Sequence, residues 1–220
     1  MITLDDELRR KVTDQLGWDS RIEASRVQIE VLGGKVILSG IVRTLMEKIF
    51  IEKDVKLIPG VKSVKNLLQV EYPQDMPGIS DEEIQEAVLL ILKHNVYVNA
   101  RNIKVSVNNS IVTLEGTVRS FWERTKAGDT AEDVVGVVAV NNQILVALPE
   151  VIPDNLIEAD IREALKRTYA VDLNSIQVKV KNGTVSLTGA VPTWNLYFDV
   201  EDTAKYTHGV MDVKNYLVVD

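Results

Sequence analysis

The sequence predicts an α+β fold: three tandem αββαβ domains, each a three-stranded mixed sheet with two helices on one face. Three observations predict it. The chain repeats: Gly40, Gly116 and Gly189 are spaced by 76 and 73 residues, and the same offsets relate Gly60, Gly136 and Gly209, and Asn66, Asn142 and Asn215. Each unit opens with apolar residues at helical spacing. Each then alternates apolar and polar residues in short runs bounded by turn residues. The units fall at residues 1–73, 79–148 and 152–220, joined by the Pro-bearing connectors Tyr72–Gly78 and Leu148–Pro153.

The elements follow in order. Leu8, Val12 and Leu16, then Ile84, Val88 and Leu92, then Ile157, Ile161 and Leu165 mark the first helix of each unit. Ser80, Asp81 and Asp154 are candidate N-caps. Strict alternation at Val27, Ile29 and Val31, at Ile103, Val105 and Val107, and at Ile176, Val178 and Val180 marks a half-buried strand. Gly33-Gly34, Asn109-Ser110 and Asn182-Gly183 then read as two-residue hairpin turns, which require positive φ. The partner strands are Val36, Leu38, Gly40; Val112, Leu114, Gly116; and Val185, Leu187, Gly189. Gly in such a strand marks a bulge or a close approach of the helix to the sheet. A second helix runs toward Gly60, Gly136 or Gly209, placed here at the left-handed position that ends a helix. The last strands carry Val64, Asn66, Leu68; Val140, Asn142, Ile144; and Val213, Asn215, Leu217. The recurrent Asn is expected to satisfy backbone groups of a neighbouring loop.

Composition narrows function. The 220 residues hold no Cys and two His, and 25 Lys and Arg against 32 Asp and Glu give a net charge of −7. Disulfides, zinc-thiolate sites and thiol catalysis are excluded. The acidic balance argues against nucleic-acid binding, which needs a basic footprint. The longest apolar runs, Ala87–Leu92 and Val137–Val140, are far short of the roughly 18–20 residues of a membrane span. Met1–Glu7 lacks the basic and apolar regions of a signal peptide, so the chain reads as cytoplasmic; a processed periplasmic chain reads the same way. His94 and His208 sit near helix ends, where the dipole favours them. Asp129, Glu132 and Asp133, and Glu201 and Asp202, form small acidic clusters that read as solvated surface. No catalytic constellation, metal site or cofactor loop is present in the pattern.

Two features exceed what one core can bury. In the middle unit, Leu89, Leu90 and Ile91 make the first helix apolar nearly all round, where the first unit has Thr13, Asp14 and Gln15 and the third Arg162, Glu163 and Ala164. Such a helix is expected to be buried against neighbouring units or another subunit. On the second helices, Leu45 and Ile49, Phe121 and Thr125, and Trp194 and Phe198 form a stripe away from the core face, and Trp122 also falls there. Contact between units or subunits covers such a stripe, and so does an aromatic anchor at a lipid interface. The net charges of residues 1–76, 77–149 and 150–220 are 0, −3 and −4. Only the first unit, near Lys48, Lys53, Lys56, Lys62 and Lys65, offers cations for an anionic headgroup, and Glu47, Glu52 and Asp54 offset them.

The run Val178-x-Val180-x-Asn182-Gly183-x-Val185-x-Leu187-x-Gly189-x-Val191, closing with His208-Gly209-Val210-x-x-Val213-x-Asn215, resembles the BON domain (bacterial OsmY and nodulation). Gly116-x-Val118 with Gly136-Val137-x-x-Val140-x-Asn142, and Gly40-x-Val42 with Gly60-Val61-x-x-Val64-x-Asn66, repeat the pattern. The resemblance implies a non-enzymatic protein without cofactors that attaches to phospholipid or envelope components under stress. Two alternatives stand beside it: a cytoplasmic scaffold that self-associates through its apolar stripes, and a sensor of a small ligand or cation. The lipid reading expects Trp122, Trp194 and Phe198 to be exposed in the monomer. The scaffold reading expects them buried between subunits. The sensor reading expects carbonyl or carboxylate oxygens clustered at a domain junction.

Overall fold

The computed structural model describes residues 3–71, 78–148, 150–168 and 175–220. The connector at residues 72–77 and Pro149 lie outside them. The first repeat comprises α1 (Leu4–Trp18), β1 (Val27–Leu32), β2 (Lys35–Val42), α2 (Leu45–Lys56) and β3 (Ser63–Val70). The second comprises α3 (Asp81–His94), β4 (Ile103–Asn108), β5 (Ile111–Val118), α4 (Phe121–Glu132) and β6 (Ala139–Val146). The third comprises α5 (Asp154–Thr168), β7 (Ile176–Lys181), β8 (Thr184–Val191), α6 (Trp194–Lys205) and β9 (Asp212–Val219). Short 3-10 turns at Ala24–Arg26 and Ala100–Asn102 lead into β1 and β4.

Each sheet has three strands in chain order, with the hairpin antiparallel and the last pair parallel. The parallel pair is possible because α2, α4 or α6 forms the crossover between its strands. Register is repeated without a slip: Leu38 faces Asn66, Leu114 faces Asn142 and Leu187 faces Asn215. One face of each sheet is buried by Val36 and Leu38, Val112 and Leu114, or Val185 and Leu187, and the two helices of the repeat cover it.

The landmark glycines have reasons different from those the pattern suggested. Gly40, Gly116 and Gly189 (φ +118°, +131° and +129°) lie opposite the first residue of the neighbouring strand. A Cβ on any of them would collide with a backbone carbonyl oxygen, of Arg26, Asn102 or Ser175. The close approach is strand to strand, not helix to sheet. Gly60, Gly136 and Gly209 do not end their helices. The caps are Leu57, Asp133 and Tyr206, and each Gly follows three residues later in the turn toward the last strand. There it passes under the first helix: a Cβ on Gly136 would lie 2.8 Å from Ile84 Cγ1.

Ser80 caps α3 with a reciprocal box to Glu83. Asp81 and Asp154 are instead the first residues of their helices, and their carboxylates accept hydrogen bonds from the hairpin turns. Asp81 takes the Asn109 and Ser110 N–H groups, both at 2.8 Å, and Asp154 takes those of Asn182 and Gly183 at 2.8 and 2.9 Å. Asp5 does the same for Gly33 and Gly34. Positive φ at both turn residues aims two adjacent N–H groups outward, and one carboxylate serves both.

The recurrent Asn side chains reach a helix rather than a loop. Asn66 Nδ2 donates to the Lys48 carbonyl (3.4 Å) and the Glu52 carboxylate (3.0 Å), and Asn142 Nδ2 to the Arg124 carbonyl (2.7 Å). Their Oδ1 atoms accept from Leu68 and Ile144. Each thereby pins the second helix to its own strand. Asn215 keeps the Leu217 bond, but its buried Nδ2 has no partner among the described residues.

Glu47 and Glu123 are buried carboxylates near the start of α2 and α4. Glu123 accepts the Asn99 N–H at 2.6 Å and the Arg119 N–H at 3.0 Å, and Glu47 accepts those of Glu23 and Arg43. The third repeat has Leu196 at this position. Glu123→Ala is expected to lower stability by about 1–2 kcal/mol, because two part-buried N–H groups lose their acceptor. Glu123→Gln should recover part of this in denaturant unfolding, since its amide oxygen replaces one bond.

Candidate functional site

The apolar stripes are taken up where the repeats meet. Leu45, at the start of α2, is 9% exposed and belongs to the hydrophobic core of the second repeat, with Ile49 packed beside it. Phe121, at the equivalent position of α4, packs against the cores of both the second and the third repeats. Trp194, the equivalent residue of α6, returns to the first repeat: its Nε1 donates to the Val61 carbonyl at 2.9 Å. The Lys56 ammonium lies over the Trp194 ring at 5.1 Å and 5.9 Å from the Phe198 ring. Each second helix thus sets its first residue on the next repeat, and the third contact closes the cycle. Arg124 and Asp212 add an ion pair at 3.1 Å between the second and third repeats.

Trp194 and Phe198, which the lipid reading expects exposed and the scaffold reading expects buried between subunits, are half-buried against the first repeat of the same chain. Nor do Leu45, Ile49 or Phe121 wait for another subunit, because a neighbouring repeat of the same chain covers them. Trp122 differs. It remains 37% exposed, edge-to-face with Tyr206 (centroids 5.0 Å) and Tyr97 (6.2 Å), themselves 46% and 63% exposed. Lys126 lies over the Trp122 ring at 4.8 Å. The patch therefore combines the second and third repeats. Trp18, 81% exposed at the end of α1, stands apart from it.

The second correction concerns α3. Leu89, Leu90 and Ile91 are 42%, 58% and 43% exposed. The neighbouring repeats do not bury this helix. Its core contacts come from Ile84, Val88 and Leu92, with Ala87 beside them.

Where the three second helices converge lies a cleft of about 630 Å³. Ile49, Leu57 and Phe198 supply apolar walls; Glu52, Glu132, Asp199, Glu201 and Asp202 supply carboxylates; Lys53, Lys56 and Lys205 supply cations. Lys56 pairs with Glu52 at 2.6 Å and Lys205 with Glu201 at 2.7 Å. Burial pushes Glu52 up, but hydrogen bonds from Lys56 and Asn66 outweigh it and hold the carboxyl below its ordinary range. Glu132 has no such partner among the described residues. Burial, with Asp129 and Asp133 beside it, pushes it up to about 7. Burial also raises Asp202, partly countered by Lys205. A carboxylate cluster at a domain junction is thus present, yet no group of three such side chains is placed to hold a metal ion among the described residues.

The repeat geometry and its landmark residues match a known family. The model for the BON domain matches three times, over residues 4–72, 80–147 and 153–220. The chain belongs to the BON domain family. No curated protein matches this BON protein. Among solved structures it is similar to CdsD, a structural protein of the type III secretion system of Chlamydia trachomatis. One such chain shows 16% identity and a TM-score of 0.27, covering 97% of this chain and 91% of that one. A second, the C-terminal domain of CdsD, has the same identity and score with full coverage of both chains.

Sequence periodicity missed Tyr97 and Tyr206, which lie just outside their helices, and the turn-binding role of the Asp5, Asp81 and Asp154 carboxylates. The latter share the 76 and 73 offsets of the glycines, a signal that was readable. No described helix of this BON protein is long and apolar enough to cross a membrane.

Proposed function

We propose that this BON protein is a non-catalytic module that associates with phospholipid surfaces through the Tyr97–Trp122–Tyr206 patch. The exposed Trp122 ring, edge-to-face with Tyr97 on one side and Tyr206 on the other, carries this reading. Trp and Tyr combine an apolar ring with a polar handle and favour the headgroup boundary. Lys126 lies over the Trp122 ring but pairs with Asp129 at 2.8 Å, so it offers little to an anionic headgroup. Asp129, Glu132 and Asp133 stand on the same helix end, and residues 77–149 carry a net charge of −3. The favoured surface is therefore zwitterionic rather than anionic.

The test is flotation of the full chain with phosphatidylcholine vesicles, with and without added phosphatidylglycerol, while Trp emission is recorded. Flotation with phosphatidylcholine and a blue-shifted emission are expected. Trp122→Ser should weaken binding about tenfold, and Trp18→Ser should leave it unchanged. Absence of flotation with either composition, or binding indifferent to Trp122→Ser, would overturn the reading.

A further inference from the structure

Leu89, Leu90 and Ile91 lie outside the core of the second repeat. The same positions hold Thr13, Asp14 and Gln15 in α1, and Arg162, Glu163 and Ala164 in α5, on helices that pack the same way. In α1, Gln15 bonds Asp54; in α5, Arg162 pairs with Glu158 and Glu163 with Lys166. The repeat accepts polar groups there without loss of its core, so the apolar residues of α3 answer to something beyond the chain.

The charges around them say what. Glu86 precedes Leu90 by four residues, and Lys93 and His94 follow it by three and four, so all share one exposed helix face. Acids fill the first turn, Asp81, Glu82 and Glu83, and bases the last, Lys93 and His94. Glu86, Lys93 and His94 have no ion-pair partner among the described residues. Such a helix is complementary to itself when reversed. About a twofold axis at Leu90, Glu86 of each copy faces Lys93 and His94 of the other, and Leu90 meets Leu90.

We infer that α3 pairs antiparallel with α3 of a second copy of this chain. The interface is small. Two helices of 14 residues bury less than the about 1,200 Å² of a standard specific interface. The dimer should therefore be weak, with a dissociation constant of about 10–100 μM.

Sedimentation equilibrium of the full chain across this range tests it. The mass should rise from 24.6 kDa toward twice that value. Leu90→Glu, at an exposed site, should keep the circular dichroism of the parent and remain monomeric. Glu86→Lys and Lys93→Glu should each weaken the dimer about tenfold by placing like charges opposite one another twice. An equimolar mixture of these two variants should dimerise again, because every cross-pair is then opposite in sign. A mass constant at 24.6 kDa, a larger assembly, or a dimer indifferent to Leu90→Glu would overturn the inference. Trp122→Ser, which tests vesicle binding, should leave dimerisation intact, so the two proposals fail separately.

Discussion

Trp194→Ala is expected to open the cycle of repeats between the third and the first. The indole is half-buried, donates to the Val61 carbonyl at 2.9 Å and supports the Lys56 ammonium on its face. Full burial of a Trp is worth about 3–5 kcal/mol against Ala. Partial burial lowers that, while the lost hydrogen bond and cation–π contact add to it. The expected loss is about 2–3 kcal/mol, a fall in melting temperature of about 5–10 °C for a chain of this length. No core residue of either repeat is removed, so circular dichroism should be retained. Small-angle scattering should report a larger radius, and unfolding should separate into more than one transition. Trp194→Phe keeps most of the apolar contact and loses the N–H donor, at a cost of about 1 kcal/mol. An unchanged scattering curve and a single transition for Trp194→Ala would show that this junction does not couple the repeats.

Stability should fall as pH rises from about 4.5 to about 7. Glu132 lies in the cleft between the three second helices, where burial, then Asp129 and Asp133, raise it from 4.5 to about 7. Across the junction it meets Glu52, Lys53 and Lys56 from α2 and Asp199, Glu201, Asp202 and Lys205 from α6. The folded chain holds the proton through this window and the unfolded chain releases it. The stabilisation is therefore fully present below the unfolded value and lost as pH passes the folded one. The full displacement corresponds to about 3 kcal/mol. The side chain is still partly solvated, and screening reduces this to about 1–2 kcal/mol. Glu132→Gln should be more stable than the parent at pH 8 by that amount, and the difference should vanish near pH 4. Urea unfolding at both values decides it; equal stabilities at pH 8 would show that Glu132 is not held in its neutral form.

The repeat, the order of its elements and the hairpin turns were legible because the same short-range spacings recur at offsets of 76 and 73 residues. Leu45, Phe121 and Trp194 were legible as surplus. A second stripe on a helix says that something covers it, but nothing local says whether that is lipid, another chain or the next repeat. The answer depends on how the repeats turn relative to one another, which their periodicities do not encode. Asn66 and Asn142 were visible as polar residues on apolar strands, but their helix carbonyl partners lie 18 residues away. Asp81 and Asp154 read as caps because the first turn of a helix rewards any acid, which hides a second use. Tyr97 and Tyr206 were invisible: each is a single residue outside a periodic segment, and only the fold brings both to Trp122.

The contact that each repeat makes with the next joins two different patches, a projecting first residue on one side and a receiving surface on the other. Between separate subunits, such head-to-tail contacts close into a ring or continue into a filament, depending only on the rotation per step. Here the step closes at three, the number of repeats the chain contains. Leu45, Phe121 and Trp194 are each received by another repeat of the same molecule. A chain with one repeat fewer would present one of each at its ends and could satisfy them only through other molecules. The third repeat therefore closes a head-to-tail series that two repeats alone would leave open.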